Sequence, residues 1–191
     1  MGEAIQIGIS NKHVHLTAES VKILFNKTED ELIRKKDLVQ KGQYACEETV
    51  DVVGPKGTLK NVRLLAPLRP EDQVELAQTD ARGIGIKTEV RMSGDLAGTA
   101  GCKLIGPCGE VELDHGVIIA MRHIHLGPKD AEKEGVKDGD VVSIKIGEDR
   151  GGIFEHVAIR VKEAFVPECH IDTDEANAFG CNPNSVCYIV K

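Results

Sequence analysis

Two short patterns stand out among the 191 residues: His13-Val14-His15-Leu16 and His123-Ile124-His125-Leu126. A β-strand turns residues i and i+2 to one face, so each pair can present two imidazoles to a single point. That geometry suits a metal ion. One His-x-His alone is more readily a strand end making ordinary hydrogen bonds, but its recurrence argues for ligands. Residues 62 to 85 also lie on 157 to 180 without a gap, pairing Val62 with Val157, Ala81 with Ala176 and Gly85 with Gly180. The offsets are 110 for the His-x-His pairs and 95 for the later segment, reconciled by one shortening of 15 residues between them. The chain therefore reads as two copies of one β unit. In this pairing Glu75 falls opposite His170, a ligand-type residue at the same place in both halves. Four histidines of the repeated pairs, with Glu75 and His170, suit zinc, with manganese, iron and cobalt in competition. Should the halves face each other, two ions can share Glu75 as a bridging carboxylate and polarise a carbonyl or phosphoryl oxygen.

Arg69 stands between Pro67 and Pro70, six residues before Glu75. Its guanidinium fork can hold two phosphate oxygens, and the prolines restrict the loop that carries it. His115 and His156 have no counterpart in the other half, so solvent-facing roles are expected for both. The glycine-rich run from Gly94 to Gly101 lacks the phosphate-loop register and reads as a hairpin or rim loop. The six cysteines form no C-x-x-C pair, and buried unpaired thiols in a reducing compartment are the expectation. Cys169, beside His170, is the nearest candidate nucleophile but reads better as a packed thiol.

The elements that must position these residues are short. Ile5, Ile7 and Ile9 alternate with Gln6, Gly8 and Ser10, and Val142, Ile144 and Ile146 alternate with Ser143 and Lys145. Further strands are expected at 50–53, 61–65, 74–77, 111–113, 117–121 and 157–161, separated by turns such as Pro55-Lys56-Gly57 and Asp138-Gly139. Close-spaced short strands favour small barrels over a parallel sheet. Thr17 caps one expected helix, Gly127-Pro128 opens another ending at Gly135, and residues 30 to 40 read as a third. Composition agrees with a globular chain: 41% hydrophobic and 29% charged, with no apolar run long enough to span a membrane and no signal peptide. A formal net charge of -7 argues against nucleic acid as partner, leaving room for a small anion where Arg and Lys gather locally.

Asn11-Lys12-His13-Val14-His15-Leu16, Pro67-Leu68-Arg69-Pro70 running to Glu75, Thr79-Asp80-Ala81-Arg82, Ser93-Gly94-Asp95 and Met121-Arg122-His123-Ile124-His125-Leu126 together resemble the PduL-type phosphate acyltransferases, also called phosphate propanoyltransferases. The resemblance runs over nearly the whole chain. It implies reversible conversion of a short acyl-CoA, propanoyl-CoA or acetyl-CoA, and orthophosphate into acyl phosphate and CoA. It also implies a mainly β fold: two related six-stranded β-barrels with short capping helices, an internal duplication with exchanged strands. The first barrel is expected over residues 13–120, and the second over 1–12 plus 121–191. The resemblance assigns one zinc ion to His13 and His15 and a second to His123, His125 and His170, with Glu75 bridging. Arg69 becomes the catalytic phosphate binder, and Ser10, Lys36, Arg63, Leu65 and Asn177 the CoA contacts. Arg82 stands where relatives offer an aromatic ring to the adenine, a role in which a guanidinium can also stack. A homodimer is a further implication. Only twelve residues precede His13, and they read as a strand instead of the leader helix of microcompartment members. A freely cytoplasmic enzyme is therefore expected.

In this reading Arg69 and the metal pair hold phosphate, which attacks a polarised thioester without any protein nucleophile. Two other classes compete. A zinc-dependent thioester or amide hydrolase would use bound hydroxide, although His-x-His amidohydrolases need a much longer (β/α)8 chain. A non-catalytic metal-binding barrel would do neither.

Overall fold

The computed structural model describes residues 2–190, so the expected barrel limits at residues 1 and 191 lie outside the described residues. In chain order the first half contains β1 (Ile5–Ser10), β2 (His13–His15), α1 (Ala18–Phe25), β3 (Arg34–Asp37), β4 (Tyr44–Gly54), β5 (Gly57–Ala66), β6 (Gln73–Glu75), α2 (Gln78–Gly83), β7 (Val90–Arg91) and β8 (Ala100–Ile105). The second half contains β9 (Glu110–Ala120), β10 (His123–Leu126), α3 (Pro128–Glu134), β11 (Val141–Ile146), β12 (Gly152–Val161), β13 (Glu168–Asp172), α4 (Thr173–Phe179) and β14 (Val186–Val190).

The strands close two six-membered rings. One runs β4-β5-β2-β6-β9 and is closed by β8, which pairs with both β9 and β4; β3 and β7 lie alongside β4 and β9. The other is β1-β13-β10-β12-β11-β14, closed where β14 pairs with β1. First strands are exchanged: β1 is a stave of the later ring, and β9 is a stave of the earlier one. The chain divides into two compact units, residues 2–11, 39–41 and 121–190 in one, and Lys12–Leu38 with Gly42–Ala120 in the other. Among the described residues no helix is long and apolar enough to cross a membrane.

Strand pleat sorts core from chemistry. Val14, Leu64 and Val74 point into the first barrel, and Ile124, Ile159 and Cys169 into the second, all at 0–1% exposure. Burying each such aliphatic side chain stabilises the fold by about 1.5–3 kcal/mol. Val21 and Leu24 of α1 join the first core, while Ala131 of α3 and Ala176 of α4 join the second. The helices are stopped and started locally. The Thr17 hydroxyl accepts from Ser20 N–H at 3.1 Å, and Asp172 accepts from Glu175 N–H at 2.8 Å. Gly135 ends α3 at φ 66°, a backbone that favours glycine.

The duplication extends to register. His13 opposes Arg63 and Glu75 as His123 opposes Ala158 and His170, and Val74 opposes Val117 as Cys169 opposes Ile7.

Three expectations need correction. Residues 30–40 are not a helix: a single 3-10 turn at Glu29–Glu31 is followed by β3, which pairs Arg34 with Cys46 and Asp37 with Tyr44. Every residue of β3 is exposed, so no apolar face was available to hold a helix, and pairing with β4 decides the conformation. Residues 111–113 and 117–120 belong to one strand, β9, which runs through His115 and past Gly116 at φ 109° and stops short of Met121. A Cβ at Gly116 would stand 2.6 Å from the Asp72 carbonyl oxygen, so the glycine permits close backbone approach as well. All six cysteines are free, but Cys108 is exposed in the Gly106–Gly109 turn and Cys181 is half-buried, so only four are core thiols.

Candidate metal centre

β2 is only three residues long, held between β5 on one side and β6 on the other. With Val14 committed to the core, the pleat turns His13 and His15 to the outer wall, and the same rule puts Glu75 and Gln73 beside them. The His13 Nε2 lies 3.3 Å from one Glu75 carboxylate oxygen, and the His15 Nε2 lies 3.8 Å from the other. Despite facing away from the barrel core, the three are 5–9% exposed. Burial, then the neighbouring His13 and Arg69, push the His15 pKa down to about 3. Burial alone would raise the Glu75 carboxyl, but His13, His15 and Arg69 outweigh it and hold it below the usual carboxylate range. The His15 Nδ1 is buried, and the Leu65 backbone works against the lowering of the ring's pKa.

The second triad repeats this on β10 and β13. Ring centroids of His123, His125 and His170 are 4.7–5.0 Å apart. His123 Nδ1 lies 2.8 Å from the Met121 carbonyl oxygen, a bond in which Nδ1–H must donate and which leaves Nε2 as the lone-pair nitrogen. Both ring nitrogens of His125 are buried without partners. Its pKa is pushed down to about 2, by burial first and then by His123 and His170. Phe165 stacks on it, ring centroids 4.0 Å apart.

Orphaned buried imidazole nitrogens are costly unless something accepts their lone pairs. In each triad one ligand atom per residue lies within 4.8 Å of the others. Neutral imidazoles converging on one point, with a carboxylate in the first set, fit a divalent metal ion, and nitrogen and oxygen donors of this kind suit zinc with a position left open.

Arg69 is built into the first triad's surroundings. Its N–H donates to the Leu16 carbonyl at 2.9 Å, fixing the loop against β2. Its Nη1 donates to Ser93 Oγ at 3.0 Å, and Ser93 donates to Glu75 at 3.1 Å. Gln73 Nε2 also donates to Glu75, and the Gln73 amide oxygen accepts from Gly94 N–H at 2.8 Å. The glycine-rich loop thus meets the site through Ser93 and Gly94. Ser93 and Gln73 lie in the motifs that carry the family resemblance but have no role assigned from sequence, although period two from Glu75 points to Gln73. Glu168, the equivalent of Gln73, bonds His170 at 2.9 Å and was missed likewise.

Lys36 and Leu65 both stand opposite Ala45, so they share one row across three strands. Arg63 lies two residues before Leu65 on the same face and donates to the Cys46 and Glu47 carbonyls at 2.9 and 2.8 Å. In the other unit Ser10 stands opposite Asp172, the cap of α4, and Asn177 is exposed on that helix. Arg82 is exposed on α2. Cys169 points into the barrel core, the opposite face from His170. A contact with Cys187, together with burial, raises its thiol pKa well above the usual value, the mark of an inert cysteine.

Fold and site define a double-barrel protein with one triad able to hold a metal ion on each copy of a duplicated unit. Comparison with known proteins gives the class a name. The chain belongs to the phosphate propanoyltransferase family, a family of acyltransferases, whose model matches residues 6–182. It is 52% identical over 188 residues to the phosphate propanoyltransferase of Thermotoga maritima, covering 98% of this chain and 89% of that one. The Salmonella typhimurium phosphate propanoyltransferase is 53% identical over 188 residues, covering 97% and 89%. That of Lachnoclostridium phytofermentans is 49% identical over 178 residues, covering 93% and 83%.

Proposed function

We propose that the chain transfers a propanoyl or acetyl group reversibly between CoA and orthophosphate, with two zinc ions per chain, one on each triad, in the cytoplasm. The observation that carries the metal reading is the convergence in each triad of one ligand atom per residue within 4.8 Å, with the buried ring nitrogens of His125 left without hydrogen-bond partners. In this reading His13, His15 and Glu75 hold one ion, and His123, His125 and His170 the other. Zinc, when bound, supplies a Lewis acid for the thioester carbonyl and charge stabilisation for the departing thiolate.

The remaining work falls to the chain. Arg69, fastened through its backbone to β2 and through Nη1 to Ser93, offers a fork that matches two phosphate oxygens. Its fixed loop orients that oxyanion for direct attack on the thioester. Lys36, Arg63 and Leu65, on one face, and Ser10 and Asn177 are the proposed CoA contacts. No protein nucleophile is required, which suits the inward-facing, unreactive Cys169.

Incubating the purified protein with propanoyl-CoA or acetyl-CoA, with and without phosphate, tests this. CoA release that requires phosphate is expected. Release without phosphate would mean hydrolysis, and no release would mean a binding protein; either result overturns the proposal.

A further inference from the structure

We infer that Glu168, clamped by Gln40, is a positioning residue that sets the tautomer and orientation of His170 and balances the charge of an ion on the second triad. This rests on the reading that the triad holds a metal.

The duplication makes the case. Gln73 opposes His15, and Glu168 opposes His125 at the equivalent register. The first half therefore carries an amide at this position and a carboxylate two residues later, while the second carries a carboxylate followed by an imidazole. Each triad is left with one carboxylate close by, a ligand candidate in the first half and a neighbour of a ligand in the second.

Three features hold the Glu168 carboxylate in place. It is 6% exposed and bonded to His170 Nε2 at 2.9 Å. Gln40, from the short segment 39–41 that groups with this barrel, donates through Nε2 to Glu168 and to the Val166 carbonyl, both at 2.9 Å. Val166 N–H returns a bond to Gln40 Oε1 at 3.2 Å. Finally, β1 omits a side chain beside it: a Cβ on Gly8 would stand 2.6 Å from Glu168 Oε1. The equivalent position in the first half is Ile118, opposite Glu75 as Gly8 is opposite His170. Space has been cleared on this side alone.

A carboxylate accepts only, so His170 Nε2–H must donate, leaving Nδ1 with the lone pair for a cation. Carboxylates that receive the second N–H of a ligating histidine raise its basicity and fix its ring.

The test is zinc titration of metal-free protein against a chromophoric chelator, with 15N NMR of the His170 ring as a second readout. Wild type should bind two ions, and Glu168→Ala should weaken one of them about 10–100-fold while sparing the other. Gly8→Ala, which keeps the carboxylate but displaces it, and Gln40→Ala should weaken the same ion less; they decide the matter if Glu168→Ala does not fold. Wild-type affinity for both ions in the folded variants overturns the inference. Should wild type take up no zinc, the metal reading fails, and the ring decides this one: an Nε2–H tautomer in wild type that becomes mixed in Glu168→Ala supports it, and an unchanged tautomer sinks it.

Discussion

His15 and His125 are neutral imidazoles across the ordinary pH range, since burial holds their pKa values at about 3 and about 2. In the unfolded chain they titrate near 6.5. Between these values the unfolded state binds more protons, so stability rises with pH and is lost as pH falls from 6.5 toward 3. The lowered Glu75 acts in the same direction below the usual carboxylate range. Urea midpoints of the metal-free protein from pH 7 to pH 5 should therefore fall, and His125→Asn should remove about one proton from the slope. A flat profile would contradict the pKa assignment. Arg69→Ala is expected to keep both zinc ions while phosphate-dependent CoA release drops by about 100-fold or more, measured by thiol detection. Cys169→Ala should retain turnover and metal; loss of turnover in a folded, zinc-loaded variant would refute direct attack by phosphate. At this scale the six proposed ligands were legible because a repeated His-x-His is rare and its partners, Glu75 and His170, fall opposite each other in a second repeated segment at an offset of 95. Gln40 was not legible, because nothing in its neighbourhood announces a contact with Glu168 across more than a hundred residues of chain.

Alternation carried most strands, since a half-buried stave must show one face to a core and one to the outside. It failed where exposure removed the signal, as in β3, and where elements are too short for any period, as in the six residues of α2 and seven of α4. Strand exchange leaves no trace in alternation: Ile5, Ile7 and Ile9 present the same pattern whichever barrel receives them. The resemblance to a known family supplied it, and the pairing of β1 with β13 and β14 shows it. Deleting residues 1–10 should then open the barrel of β10 to β14 while the other keeps its protection in hydrogen exchange. Equal loss in both would mean that the barrels do not fold as separate units. Ile124 is the inward residue between the two histidines of β10, and Ile124→Ala should cost about 2–5 kcal/mol in urea denaturation.

Taken whole, the molecule is acidic, with a formal net charge of -7, while its proposed substrates are anions. Attraction must therefore be local, from Arg63, Arg69 and Lys36 and from whatever cations the triads hold. If the triads bind zinc, chelation should lower the unfolding temperature, and excess zinc should raise it in a concentration-dependent way, the added stability being about 2.7 kcal/mol per site at a hundredfold excess over Kd. An unfolding temperature indifferent to chelator would count against both sites. The matched registers of the two halves have a final consequence. A pair of separate, identical half-chains trading their first strands would build the same two barrels, but each position would have to carry the same residue twice. Covalent joining lifts that obligation. Glu75 against His170, Gln73 against Glu168 and Arg69 against Ala164 are places where the copies have parted, so that one polypeptide carries two unlike triads on a frame that is otherwise repeated.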